Sequence, residues 1–291
     1  MNTVFLGSEI ENAPLERSRF AVLPVPYEES VSYGGGTSNG PEAILRASHQ
    51  LELFDGHSYP GRLGICTMPA VGCDAPGEVV VERIAQAVKR ILKAGSMPVV
   101  LGGEHTVTYG VIKGYLEAGV TDFGVVQIDA HADLRDAYED NPYSHASVMK
   151  RVVDAGIPLF QLGIRAYCEE EKNTRESNPS IYYLDGEDLV PSQVSQITLP
   201  EDFPSKVFFT VDVDGLDPSV FPSTGTPVPG GLSWYQTLQL FQSVASQREI
   251  IGFDIMEFSP IDGFHAYDFA ASLLTYKLMG LTQRSLEAKA S

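Results

Sequence analysis

A chain of 291 residues that is 43% apolar and 20% charged can bury a full core, which excludes a disordered or fibrous protein. The 38 Asp and Glu against 20 Lys and Arg give a net charge of −18, a surface that repels nucleic-acid phosphates and anionic membranes and attracts small cations. Met1 to Glu11 carries no basic-then-apolar export pattern and no apolar run is long enough to span a bilayer. Cys66, Cys73 and Cys168 lack metal-finger spacing, so a reducing cytoplasm is the expected setting.

In chain order, a strand is expected over Phe20 to Val25, then a Gly- and Ser-rich loop from Tyr33 to Gly40. A helix should begin near Pro41, with Ile44, Ser48 and Leu51 on one face. Val81, Ile84, Val88, Ile91 and Leu92 recur at helical steps, with Gly95 as the stop. Further strands are expected at Val99 to Leu101, Phe123 to Ile128, Leu159 to Leu162, Ile181 to Leu184, Val207 to Val211 and Ile250 to Ile255. A second long loop, Leu216 to Leu232, is rich in proline and glycine, and long loops in compact domains tend to carry function. Ser233 and Gln236 read as a capping box, and Phe269, Leu273 and Tyr276 as a last helix ended by Gly280. This alternation predicts an α/β protein with a mainly parallel central sheet covered by helices. No repeat or long linker divides it, so residues 1–291 are expected to form a single domain.

Three of these strands end in chemistry-bearing residues. Asp129-Ala-His131-Ala-Asp133 places three potential ligands at alternate positions, which share a face in extended chain. Asp212 and Asp214 repeat the spacing, with Asp217 suited to fixing the turn before Pro218. Gly102-Gly103-Glu104-His105 marks a tight strand-to-helix bend. A lone histidine usually packs and a lone aspartate usually caps. Four aspartates and two histidines at the carboxyl ends of parallel strands, where open sheets place their ligand crevice, ask for more. Two bare carboxylates about 4 Å apart repel by roughly 4 kcal/mol at an effective dielectric of ~20, a conflict that cations remove. Oxygen and imidazole donors without thiolate suit a hard or borderline divalent ion. Manganese is the natural choice, and two ions sharing a bridging carboxylate would use all six ligands.

Gly102 to His105, Asp129 to Asp133, Asp212 to Pro218 and Thr224-Gly-Thr-Pro-Val-Pro-Gly-Gly, in this order, resemble the ureohydrolases, the arginase and agmatinase family. The resemblance implies a three-layer α/β/α fold, two Mn2+ per subunit, hydrolysis of a guanidino group to urea and an amine, and homo-oligomers (trimers or hexamers). It places His105, Asp129, Asp133 and Asp212 on one ion and His131, Asp129, Asp212 and Asp214 on the other. It makes Glu257 the acid that grips the guanidinium, Asp133 a proton acceptor and His145 a proton shuttle, a role that suits a pKa near neutrality. Leu134 to Tyr143 departs from the arginase pattern and is similar to bacterial agmatinases. Agmatine, cleaved to putrescine and urea, is therefore the expected substrate, with aminopropylagmatine, guanidinobutyrate and other guanidino compounds as alternatives. Asp136, Glu139 and Asp140 would favour a distal ammonium, with Arg135 expected to point away. A reading of another class is a catalytically silent metal-binding scaffold or sensor, against which all the expected ligands are intact. His49, His57 and His265 are taken as structural.

Overall fold

In the computed structural model, which describes residues 3–290, the β-rich runs become eight strands. They are β1 (Phe20–Val25), β2 (Ile65–Thr67), β3 (Met97–Gly102), β4 (Gly124–Ile128), β5 (Leu159–Leu162), β6 (Ile181–Leu184), β7 (Lys206–Asp212) and β8 (Glu249–Met256). All pair in parallel, in the order β2-β1-β3-β8-β7-β4-β5-β6. Both faces of the sheet are covered, which is why its strands read as unbroken apolar runs rather than alternating ones.

Val22, Val99, Val126 and Phe209 belong to one core, packed by α1 (Gly40–Ala47), α7 (Trp234–Gln247) and α8 (Ala266–Ala290) through residues such as Ile44, Phe241 and Leu274. Ala21, Val100, Val125 and Phe208 face the other, packed by α2 (Gly77–Lys93), α3 (Thr106–Glu117) and α4 (Val148–Asp154) through Ile84, Val111 and Val152. The result is three layers, α/β/α. Two further helices, α5 (Glu169–Ser177) and α6 (Gly186–Leu189), flank β6 in the chain. Among the described residues no helix is long and apolar enough to cross a membrane.

Four local expectations change. The edge strand β2, of 3 residues, is too short to announce itself in sequence. Nor does α5, Glu-Glu-Glu-Lys-Asn-Thr-Arg-Glu-Ser, which carries no apolar stripe. Ser233 Oγ accepts the Gln236 N–H at 3.2 Å, but the Gln236 amide turns away to the Leu189 and Val194 carbonyls, so only half of the capping box forms. Gly280 does not end the last helix: α8 runs through it, and a Cβ there would lie 1.8 Å from Asp55 Oδ2. This glycine lets the Asp55 loop close onto the helix.

Because all strands are parallel, their carboxyl ends share one edge of the sheet. The central neighbours β3, β8, β7 and β4 bring together the four segments that follow them, residues from 103 to 257 of the chain. The two long loops meet above this edge, where the Gly34 N–H donates to the Gly225 carbonyl at 3.3 Å. A Cβ on Gly34 would fall 2.9 Å from that carbonyl oxygen, so the contact requires glycine.

Candidate metal centre and active site

His105, at the start of α3, is 1% exposed. Its Nε2 lies 2.9 Å from Thr210 Oγ1 of β7, which sits 3.4 Å from Thr108 Oγ1, whose hydroxyl donates to Asp254 Oδ2 of β8 at 2.8 Å. Each hydroxyl has one hydrogen. With that of Thr108 given to Asp254, Thr210 donates to Thr108 and accepts from Nε2–H. Nδ1 is the ring nitrogen left facing the acids. It has no well-aligned hydrogen bond, yet Asp129 Oδ2, Asp133 Oδ2 and Asp212 Oδ2 surround it at 3.1, 3.2 and 3.3 Å and, against the cost of burial, raise the imidazole's proton affinity well above the ordinary value. These four atoms call for a positive charge between them, a proton in the metal-free protein or a bound cation. This orphaned nitrogen, in a set of nitrogen and oxygen donors without sulfur, fits a divalent metal ion.

A second group adjoins the first. His131 Nδ1 lies 3.0 Å from Asp214 Oδ2 and 3.7 Å from Asp129 Oδ1, so Asp129 is common to both groups. Local structure aims these side chains. Gln127 Nε2 and the His131 N–H each donate to Asp129 at 2.6 Å, and Asp214 sits in a 3-10 turn, Val213–Gly215, capped by Asp212. Asp133 adopts φ +54° and Glu257 φ +59°, the left-handed region that non-glycine residues avoid. Strain of this kind persists where function holds it in place. Alternation along an extended strand is thus not what aims Asp133; a backbone reversal does.

The charges are mismatched without cations. Burial and then Asp129 push Asp133 up to about 7, and burial, Asp214 and Asp129 push Asp212 well above the usual carboxylate range. Burial opposes a charge on His131, but Asp214 and Asp129 outweigh it and raise the imidazole to about 12. Protons retained on these groups would offset the repulsion in the metal-free site, which is the work a metal ion would otherwise do.

Glu257 is 8% exposed and shares the cleft with His131, Asp133, Asp212 and Asp214. Its Oε1 accepts the His105 N–H at 2.7 Å, and burial, then Glu104, raises its proton affinity well above the ordinary value. His145 lines both this cleft and an adjoining outer cavity, which also share His131 and Asp133 in their walls. The structure changes one expectation here: burial, with His105 and His131, holds His145 down to about 4 rather than near neutrality.

The outer cavity corrects two more. Arg135 lines it rather than pointing away, its guanidinium 5.9 Å from the Tyr138 ring and in no ion pair among the described residues. Asp136 faces Arg151 at 3.1 Å instead, and neither it nor Glu139 nor Asp140 reaches the cavity. The carboxylate that does is Glu171, whose oxygens accept the Leu134 and Cys168 N–H groups. Two supports escaped the sequence reading. Arg165 donates to the carbonyls of Asp214 and Val228, both at 2.7 Å, tying the turn to the long loop, and Gln161 holds Gln127 at 2.7 Å. An isolated arginine or glutamine carries no local signal of such a role.

Residues 18–280 match the model of the arginase family. The N(1)-aminopropylagmatine ureohydrolase of Synechocystis sp. is 37% identical over 92% of this chain and 90% of its own. The agmatinase of Pyrococcus horikoshii is 28% identical over 95% and 96%. The crystal structure of agmatine ureohydrolase of Thermoplasma volcanium superposes with a TM-score of 0.83 over 99% of this chain and 97% of that one, at 24% identity, and shows the same fold.

Proposed function

The chain belongs to the arginase family and is a ureohydrolase, and from that premise we propose that it cleaves agmatine or its N-aminopropyl derivative to urea and an amine at a pair of Mn2+ ions. His105, Asp129, Asp133 and Asp212 would hold one ion and His131, Asp129, Asp212 and Asp214 the other. The Nδ1 of His105, buried among three carboxylates without a well-aligned hydrogen bond, carries this reading. Bound cations would acidify water at neutral pH and offset the charge that develops at the attacked carbon.

The chain's own residues would do the rest. Glu257 spends one oxygen on His105 and has the other for guanidinium N–H groups, whose positive charge relieves the cost of burying its carboxylate. Holding the planar cation in one pose removes much of the barrier to attack on a delocalised, weakly electrophilic carbon. Asp133 would take the proton released by water, and His145 would pass one to the departing amine. The outer cavity gives room for an aliphatic tail, and likeness to the 37%-identical enzyme favours the longer, aminopropyl tail. Three free cysteines suit a reducing cytoplasm; a single domain and a homo-oligomer, trimer or hexamer, complete the reading.

Urea release measured with manganese across aminopropylagmatine, agmatine, arginine, guanidinobutyrate and guanidine tests it. The first two should exceed arginine by about 100-fold or more in kcat/KM, and dominant arginine turnover would overturn the assignment. One observation favours a second substrate. The unpaired Arg135 suits the carboxylate of guanidinobutyrate. If it binds such a group, Arg135→Ala raises the KM for guanidinobutyrate about 10-fold or more; if not, that variant leaves agmatine turnover equal or improved.

A further inference from the structure

Glu104, next to His105 in sequence, is fully buried and belongs to neither group of candidate ligands. Its carboxylate collects four donors. The N–H groups of Glu29 and Ser30 reach Oε2, both at 2.6 Å, and the hydroxyls of Ser30 and Thr106 reach Oε1 at 2.7 and 2.6 Å. Burial raises the proton affinity of Glu104, but four donors on two oxygens oppose this and suit an ionised carboxylate, and they pin the segment after β1 to the turn after β3.

The Ser30 hydroxyl then reaches a third loop. It accepts the His145 backbone N–H at 3.0 Å and stands 3.0 Å from His145 Nδ1. Its only hydrogen is committed to Glu104, so toward the imidazole it can only accept. Nδ1 must therefore carry the hydrogen of the neutral ring. Nε2, which makes no hydrogen bond among the described residues, keeps the lone pair. Ser144 Oγ, at 3.5 Å from Nδ1, is the more distant partner and already accepts the Ala146 N–H.

We propose that Glu104 and Ser30 are positioning residues that set the tautomer and orientation of His145, presenting Nε2 as the nitrogen that exchanges protons with the reacting substrate. The inference rests on the ureohydrolase reading and on His145 as its shuttle. Chemically, Nε2 takes the proton that water released to Asp133, which lines the same cleft. The ring is briefly an imidazolium held by Nδ1–H to Ser30, and the proton leaves from Nε2 to the departing nitrogen, so that Asp133 and the ring both return to their starting charge. The net charge of the Glu104–Ser30–His145 set returns to its starting value. A ring with the opposite tautomer would present an N–H where a base is needed, and a misplaced tautomer is costly in proton-transfer enzymes.

The test is a double-mutant cycle on the manganese-loaded enzyme with agmatine and aminopropylagmatine. Ser30→Ala should lower kcat by about 10-fold or more while KM stays within about two-fold. Ser30→Thr, which keeps the hydroxyl, should recover most of the loss. In a His145→Asn background the Ser30→Ala change should cost less than about two-fold, because its effect passes through the missing ring. Glu104→Gln should behave as Ser30→Ala if it folds; the serine pair carries the test if it does not. Equal losses from Ser30→Ala with and without His145, or none where His145→Asn is impaired, would overturn the positioning role alone. A wild-type kcat in His145→Asn would remove the shuttle, and the proposal with it. Absence of urea from wild type with every guanidino compound would instead remove the ureohydrolase reading.

Discussion

Asp212 and Asp217 lie on one short stretch, Asp-Val-Asp-Gly-Leu-Asp, yet the fold gives them opposite surroundings. Asp217 accepts from the Ser219 N–H and hydroxyl at 2.9 and 2.5 Å and from the Gly230 and Gly231 N–H groups at 2.8 and 3.1 Å. These bonds, the Ser219 hydroxyl foremost, hold its carboxyl down to about 2 and close the long loop. Asp212 accepts the Asp214 N–H and otherwise faces acids and His105. A carboxylate that serves structure is supplied with donors by the protein. Asp212, a proposed metal ligand, is left short of donors, a deficit that a bound cation would relieve.

Activity offers the widest separation between the two. Asp212→Asn should lower urea release by about 1000-fold or more and reduce bound manganese, whereas Asp217→Asn should keep two ions and lose less than about 10-fold. Comparable losses in both would erase the distinction.

Stability sharpens it through sign. With the metal stripped, Asp212→Asn removes a repelling charge and should raise the melting temperature by about 2–4 °C, equivalent to roughly 1 kcal/mol. With manganese present the same variant should melt below wild type. A metal-free Asp212→Asn that melts lower would show that the cluster is not frustrated. Asp217→Asn should instead lose about 1 kcal/mol with or without metal, a figure kept small because the site is partly exposed.

The smallest effect is in acid. The folded-state pKa of Asp217, about 2, lies below its ordinary value of 3.8, so its contribution is complete above 3.8 and lost as pH falls toward 2. Urea midpoints of wild type and Asp217→Asn should therefore converge over that interval. A gap unchanged at the acid end would mean that the hydrogen bonds to Asp217 do not depend on its charge.

What could be read directly from the chain was whatever near neighbours decide. Seven of the eight strands, the helix facing β1 and β3 with its stop at Gly95, and the Asp-x-His-x-Asp and Asp-x-Asp clusters all rest on residue type and short spacing. So did the turn role of Asp217, whose first partner is two residues away. The sheet order placing β3, β8, β7 and β4 side by side was decided only in three dimensions, and with it the meeting of His105, Asp129, Asp212 and Glu257. Arg135 turning into the cavity, Gly280 accommodating Asp55 within a continuing helix, and Ser30 reaching across 115 positions to His145 belong to the same class. Local preferences fix an element's identity because they act within a few residues. Which donor meets which acceptor across the molecule depends on how buried strands stack, and apolar runs that fit equally well in several sheet positions carry no record of that choice.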